Sequence, residues 1–305
     1  MNQPCDARPL LPFASLKAAP ASSLLGQVVG GLVVERLVAE GGVGVVYAAR
    51  PRLGGAARAL KVLKPGLVGE GGHRARFAQE IAYARRVGHP NVVSVLDHGR
   101  LADGRPWLTM DLLEGATLGA LVRREGPLPL ARALAITDQV LAGLAALHAA
   151  SVVHQDLQPD NVFLARAPGA PGPLGERAVL LDLGFAREAG SGARASRFGT
   201  PSFMSPEQAL ASRAITAQSD LFAAALLLSY ALTGKPPFGG GGGLTARDVL
   251  VAIVRSAPVP VRRARRDVPM ELDRILARAL AKHPDARFSG AAEMRTALGR
   301  LACAA

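Results

Sequence analysis

The chain has 305 residues, 49% of them hydrophobic and 20% charged, which is enough apolar material for one large domain or two smaller lobes and excludes a natively disordered chain. Its formal net charge of +12 comes from 36 Lys and Arg against 24 Asp and Glu, while aromatic residues make up only 4%. A single-strand nucleic-acid binder stacks bases on aromatic platforms, so the positive excess reads as solvated loops or attraction to acidic partners, and no nucleic-acid partner is expected.

Cys5 and Cys303 lie near opposite ends without metal-ligand spacing. Neither a zinc site nor a disulfide framework is expected, and a reducing, cytoplasmic setting fits best. The start of the chain lacks a basic segment followed by a long apolar core, which argues against a secretory signal. The most apolar run, residues 221–232, is too short for a membrane span of ~20 residues and reads as a buried helix, so no membrane association is expected.

In chain order, residues 1–27 carry Pro4, Pro9, Pro12 and Pro20 without sustained periodicity and read as a flexible leader. From Val28 onward, short β-rich runs at 33–38, 43–47 and 59–63 predict a small antiparallel sheet. Between the first two runs lie Ala39, Glu40, Gly41, Gly42, Val43 and Gly44. Glycines at a hairpin tip let backbone N–H groups approach a phosphate with no Cβ in the way. A dinucleotide-binding turn would need a helix at this point, but Val45-Val46-Tyr47 continues as strand. Lys61 sits between apolar neighbours in the third run. In 73–87, Phe77, Ile81, Ala84 and Val87 recur at helical spacing with Glu80 beside their face, where pairing with Arg76 is one role open to it. His89-Pro90-Asn91 makes a turn in which His89 is structural, and Trp107-Leu108-Thr109-Met110 is a strand.

Leu130, Leu134, Leu141, Leu144 and His148 follow a 3.6-residue spacing, predicting a long amphipathic helix that runs into Val152-Val153 and the loop from His154 to Asn161. After Leu164, a Pro- and Gly-rich excursion over 165–175 is expected to be mobile, and Asp182 then follows an apolar strand. Asp156 and Asn161 on one loop, with Asp182 on another, can face a single magnesium-phosphate site. Ser219 reads as the cap of the buried helix at 221–232, with Gly234 near its end.

The loop His154-Gln155-Asp156-Leu157, closed by Asn161, resembles the catalytic-loop pattern H-R-D-L-x-x-x-N of protein kinases. Further motifs follow in that family's order. Residues 39–45 resemble the glycine-rich loop, Ala59-Leu60-Lys61 the V-A-I-K strand, and Asp182-Leu183-Gly184 the D-F-G motif. Ser205-Pro206-Glu207 resembles A-P-E, and Gly199-Thr200-Pro201 the peptide-docking segment of serine/threonine members. On this basis the chain is similar to bacterial serine/threonine protein kinases of the eukaryotic type over residues 28 to 301.

The resemblance implies an α+β, two-lobed fold: a small β-rich N-lobe at 28–110, a hinge at 111–115 and a larger, mainly helical C-lobe at 116–303. It implies ATP and Mg2+ as cofactors and proteins as substrates. Leu37, Ala39, Glu40, Gly41, Gly42, Val43, Gly44 and Val45 would cover the nucleotide, with the backbone of Asp111 and Leu113 on the adenine and Met110 behind it. Lys61, held by Glu80, would contact the α- and β-phosphates, while Asn161 and Asp182 would hold the metal. Asp156 would accept the hydroxyl proton. Asp220 would hold the catalytic-loop backbone, and Arg287 would pair with Glu207.

The chain departs from the pattern at several points: Ala39 for the first glycine, Leu183 for Phe, Ser205 for Ala and Ala225 for a usual glycine. Gln155 replaces an arginine that, in many members, pairs with a phosphorylated activation loop, so that form of switching is expected to be absent. Gln158 replaces the lysine that reaches the transferring phosphate. The expectation is a serine/threonine kinase of reduced activity, the alternative being a pseudokinase scaffold that binds nucleotide or partner proteins.

Overall fold

The computed structural model describes residues 24–69, 72–166, 175–191, 200–212, 214–238 and 243–302. Most of the leader, both cysteines, most of the 165–175 excursion and the stretch 192–199 fall outside them.

Six strands form the first sheet: β1 (Val28–Val29), β2 (Leu32–Glu40), β3 (Gly44–Pro51), β4 (Arg58–Leu63), β5 (Val95–Arg100) and β6 (Pro106–Asp111). Their order is β1-β2-β3-β4-β6-β5, antiparallel throughout, which leaves β5 at one edge. The β1–β2 hairpin turns on Gly30 and Gly31, both in the left-handed region, and a Cβ on Gly30 would lie 2.4 Å from the Trp107 ring. Alternation along β4 divides its side chains. Leu60 and Val62 join Tyr47 and Trp107 in a cluster on one face, while Leu63 belongs to the main core on the other. Lys61 follows the parity of Leu63, and this parity sends its ammonium toward α1 (His73–Arg86).

The second lobe begins after the link at 112–114. It contains β7 (Gly115–Thr117), α2 (Leu118–Glu125), α3 (Leu130–Ala149), β8 (Val152–Val153), β9 (Val162–Arg166), β10 (Glu176–Leu180) and β11 (Arg187–Glu188). The chain continues through α4 (Pro206–Ala209), α5 (Ala217–Thr233), α6 (Ala246–Arg255), α7 (Met270–Ala279) and α8 (Ala291–Ala302). Helix α3 packs against α5, α8 and β10. By length and composition α3, rather than the 221–232 run, is the one described helix apolar enough to cross a membrane, and here its apolar face lies in the core. Val92 makes a bridge to Leu180, and the next strand starts at Val95.

The start of α5 corrects one expectation. The helix begins at Ala217 with Thr216 as its N-cap residue, so Ser219 lies in the first turn. There its hydroxyl accepts from the Thr216 N–H and donates to Glu207 at 2.8 Å. At the other end Gly234 closes the helix at φ 71°, a backbone that glycine adopts without strain.

Glu207 and Arg287 form a two-pronged ion pair at 2.7 and 2.8 Å, both buried. The arginine also donates to the carbonyls of Gln218, Ala281 and Lys282 and lies over the Phe222 ring. Every prong of the guanidinium is thus satisfied, the condition under which a buried charge is tolerated. Replacing Arg287 with Ala leaves Glu207 buried and unpaired, and urea denaturation should show a loss of about 3–5 kcal/mol. A loss below about 1 kcal/mol, the range of an exposed pair, would contradict that account.

Candidate active site

Asp220, on the first turn of α5, is 1% exposed and organises the loop between β8 and β9. Its carboxylate accepts from the backbone N–H of His154 at 2.8 Å, from that of Gln155 at 2.9 Å, and from His148 Nε2 at 2.8 Å. Gln155 sits at φ 63°, a left-handed conformation that costs a non-glycine residue energy, and these bonds hold it there. Its carbonyl also accepts from Gln208 Nε2 at 2.6 Å. Gln208 is itself fixed by a reciprocal cap with Ser205 at the start of α4.

His154 ties this loop to the strand before Asp182. Its Nδ1 accepts from the Asp156 N–H, so Nε2 carries the proton and donates to the Leu181 carbonyl at 3.1 Å. Burial lowers the pKa of His154 and favours this neutral form. A second tie is the Leu181 N–H donating to the Asn161 carbonyl at 2.8 Å. Asp182 itself sits at φ 57° and accepts from the Gly184 N–H, a turn closed behind it by the fully buried Leu183.

The side chains then converge. Asn161 Nδ2 donates to the Asp156 carbonyl at 2.8 Å and to its carboxylate at 2.9 Å, leaving the carboxamide oxygen for a hard cation. Lys61 Nζ lies 2.7 and 2.8 Å from the two oxygens of Glu80 and 3.7 Å from Asp182. Burial works against the Lys61 charge, but Glu80 and then Asp182 outweigh it, so its pKa rises and the ammonium persists. Burial also lifts Glu80 above the ordinary carboxylate range, yet two short contacts to a firmly charged lysine keep the pair ionic. Glu80 is paired with Lys61, and Arg76 lies over the Phe185 ring at 4.8 Å.

Above this group, the β2–β3 tip closes with the Gly41 N–H donating to the Gly44 carbonyl. A Cβ on Gly44 would lie 3.0 Å from the Val62 carbonyl, so a side chain there would press the tip away from β4 by a few tenths of an ångström. Val43, Lys61, Glu80 and Asp182 line one small cavity, which places the tip directly over the lysine and the carboxylate. The Glu40 side chain is held by Lys64 at 2.7 Å, so any ligand contact from Glu40 is left to its backbone. Leu37 is exposed, Ala39 and Val45 continue the β2–β3 ladder, and Gly42 lies at the tip. Asp111 ends β6, and Leu113, in the link between the lobes, packs partly against the core.

No group of three or more His, Cys, Asp or Glu side chains able to hold a metal by themselves occurs among the described residues. Magnesium does not need one. It is bound through one or two protein oxygens, with waters and phosphates completing the octahedron, and Asp182 and Asn161 fit that role.

The sequence model of the protein kinase domain matches residues 32–298. The chain belongs to the protein kinase domain family. This kinase domain is 32% identical over 276 residues to the serine/threonine-protein kinase PknD of Mycobacterium tuberculosis, covering 90% of this chain and 40% of PknD. It is 34% identical over 274 residues to the serine/threonine-protein kinase pkn3 of Myxococcus xanthus, covering 87% of this chain and 49% of pkn3. It therefore spans less than half the length of either relative. The solved kinase domain of Mycobacterium tuberculosis PknI superposes with a TM-score of 0.69 at 27% identity, over 90% of this chain and 98% of that one.

Sequence reasoning missed several supports of the kinase site. Gln208 was legible, since Ser205 followed three residues later by Gln is a capping-box signature. The Thr200 hydroxyl, which donates to Gln158 Oε1 at 2.5 Å, and the Lys64–Glu40 pair depend on tertiary placement and carry no local signal.

Burial, reinforced by the negative charge of Asp182, raises the Asp156 carboxyl to about 7 against the pull of Asn161 and Gln158. An unfolded aspartate titrates near ~4. Between those values the folded chain keeps a proton that the unfolded chain has lost, so stability falls as pH rises through the window and the loss is complete above about 7. With EDTA present, the melting temperature of the wild type should drop relative to Asp156→Asn as pH rises from about 5 to about 7.5, spanning that titration. Parallel curves would show that Asp156 titrates like an ordinary carboxyl.

Proposed function

We propose that this kinase domain transfers the γ-phosphoryl group of magnesium-ATP to serine or threonine hydroxyls of protein substrates. The observation that carries the reading is the linkage of Lys61, Asp156, Asn161 and Asp182. They come from three separate segments and are joined by contacts of 2.7 to 3.7 Å running through Glu80 and the Asn161–Leu181 bond. Phosphoryl transfer asks a protein mainly for positioning and charge neutralisation, and this group offers both.

Magnesium would neutralise the phosphate oxygens and hold them in line for transfer. Asp182 and the Asn161 carboxamide oxygen are the groups to hold it. Lys61, fixed by Glu80, presents its charge to the non-transferring phosphates. Asp156 accepts the proton of the attacking hydroxyl, and a pKa of about 7 puts it near the operating range of a general base. Thr200-Pro201, beside Gln158, supports a protein hydroxyl as acceptor, and the relatives named as serine/threonine kinases support the same residue class. The cytoplasmic setting rests on the sparse cysteines alone.

Gln158 sets the rate. Its amide donates to both Asp156 oxygens at 3.3 Å and accepts from Thr200, so it keeps the base oriented but brings no positive charge to the moving phosphate. Losing one preorganised electrostatic contact costs about 10²–10³ in rate, some 3–4 kcal/mol, out of the roughly 8–23 kcal/mol that enzymes supply. Activity is lowered and retained. A scaffold without phosphotransfer has no such support, since none of the four central residues is replaced.

Transfer of labelled phosphate from ATP to a basic test protein should fall about 10²–10⁴-fold in Asp156→Asn, with magnesium-ATP binding intact. Equal background in both proteins would overturn the kinase reading in favour of a scaffold. Gln158→Lys should raise kcat by about 10-fold or more, given the contact it restores. An unchanged or lower kcat would contradict the electrostatic account of Gln158. Phosphatase treatment of the wild type should leave the rate within about 2-fold, because Gln155 offers no charge to a phosphorylated loop.

A further inference from the structure

Between α5, α7 and the segment 258–261 an apolar hollow of about 390 Å3 opens to solvent, and none of the active-site residues lines it. Its floor is Val261, Leu276 and Leu280, all buried, and its mouth is flanked by Val259 and Met270, which are 50% and 59% exposed. Large apolar side chains left in water at the rim of a concavity mark a place for an apolar ligand. The stretch 255–266 beside it holds five arginines and no acid. Arg265 is answered by Asp267 and Arg262 donates to the Val268 carbonyl, whereas Arg263 and Arg266 are exposed and form no ion pair with a described carboxylate.

The wall decides what kind of molecule fits. Pro258 and Pro260 have no N–H, and that of Val259 between them is donated to the Pro237 carbonyl at 3.3 Å. The Ser229 hydroxyl donates to the Ala225 carbonyl at 2.9 Å, and the Asp273 carboxylate accepts from the Arg262 N–H at 3.4 Å. With these groups engaged inside the protein, the hollow has little to give the carbonyls of a peptide or the hydroxyls of a sugar, and burying such groups unpaired is costly. An alkyl chain carries none. The arginines add a requirement for a negative head, and Arg274 at the rim is held only by an exposed pair with Glu271 at 2.9 Å, which costs little to exchange. A flat bilayer surface would meet the arginines but leave the hollow unfilled.

We propose that this hollow binds a long-chain fatty acid, its alkyl chain lying on Val261, Leu276 and Leu280 and its carboxylate leaving the mouth beside Arg274 to pair with Arg263 and Arg266. A volume of about 390 Å3 suits one small ligand of this kind. Because α5 contributes Ser229 to the hollow and carries Asp220 in its first turn, the ligand would sit against the helix that anchors the catalytic loop.

The test is equilibrium dialysis of radiolabelled laurate, below its micelle concentration, against the whole chain. Saturable binding is expected, and decanoate, two methylenes shorter, should bind about 10-fold more weakly. Ala277→Trp, which fills the hollow without altering charge, should weaken laurate binding about 10-fold or more. Arg263→Glu with Arg266→Glu should weaken it about 10-fold. All three positions are exposed, and unchanged melting temperatures would show that the fold is intact. Absence of saturable binding would overturn the proposal, as would equal binding after Ala277→Trp or after charge reversal. Capture by vesicles rich in phosphatidylglycerol, with no binding of monomeric laurate, would assign the arginines to a membrane surface instead and equally overturn it.

Discussion

A single buried carboxylate underlies the active site. Asp220 takes two backbone N–H groups and a histidine nitrogen, and in doing so fixes a loop that would not hold its shape alone, since Gln155 occupies a left-handed conformation. From that loop the constraint passes outward: His154 and Asn161 reach the backbone around Leu181, which sets Asp182, and Asp182 stands beside Lys61. Placing a charge in the core is costly unless both of its oxygens are hydrogen-bonded. Asp220 meets that condition with groups the catalytic loop must present in one arrangement, so the cost of burial is converted into geometry.

The same principle recurs one layer out. Glu207 and Arg287 are buried, doubly bonded to each other and linked to α5 through Ser219. Gln208, on the same short helix as Glu207, holds the carbonyl of Gln155. The catalytic loop is therefore gripped from both sides by groups that carry no phosphate. Gln155 thus keeps its backbone fixed through its N–H on Asp220 and its carbonyl on Gln208.

Much of this was legible in the residues. Phosphoryl transfer demands a lysine, two carboxylates and an amide, and the spacing from Asp156 to Asn161 and the strand context of Lys61 and Asp182 are short-range signals that survive without coordinates. Glu80 was legible from helical periodicity as a candidate, but its pairing with Lys61 was decided by the parity of β4, which turns the lysine toward α1. The start of α5 was misjudged by three residues because Ser219 is a good capping residue in the wrong turn, its hydroxyl committed to Glu207.

The central claim is that Lys61 and Asp182, far apart in the chain, act on one nucleotide. A double-mutant cycle on magnesium-ATP binding by calorimetry, using Lys61→Met, Asp182→Asn and the pair together, tests it most directly. The account predicts strong coupling: each single change weakens binding, and the double change costs much less than the sum, leaving an interaction term of about 1 kcal/mol or more. Strictly additive losses, or a single change without effect on binding, would show that the two residues do not share a ligand.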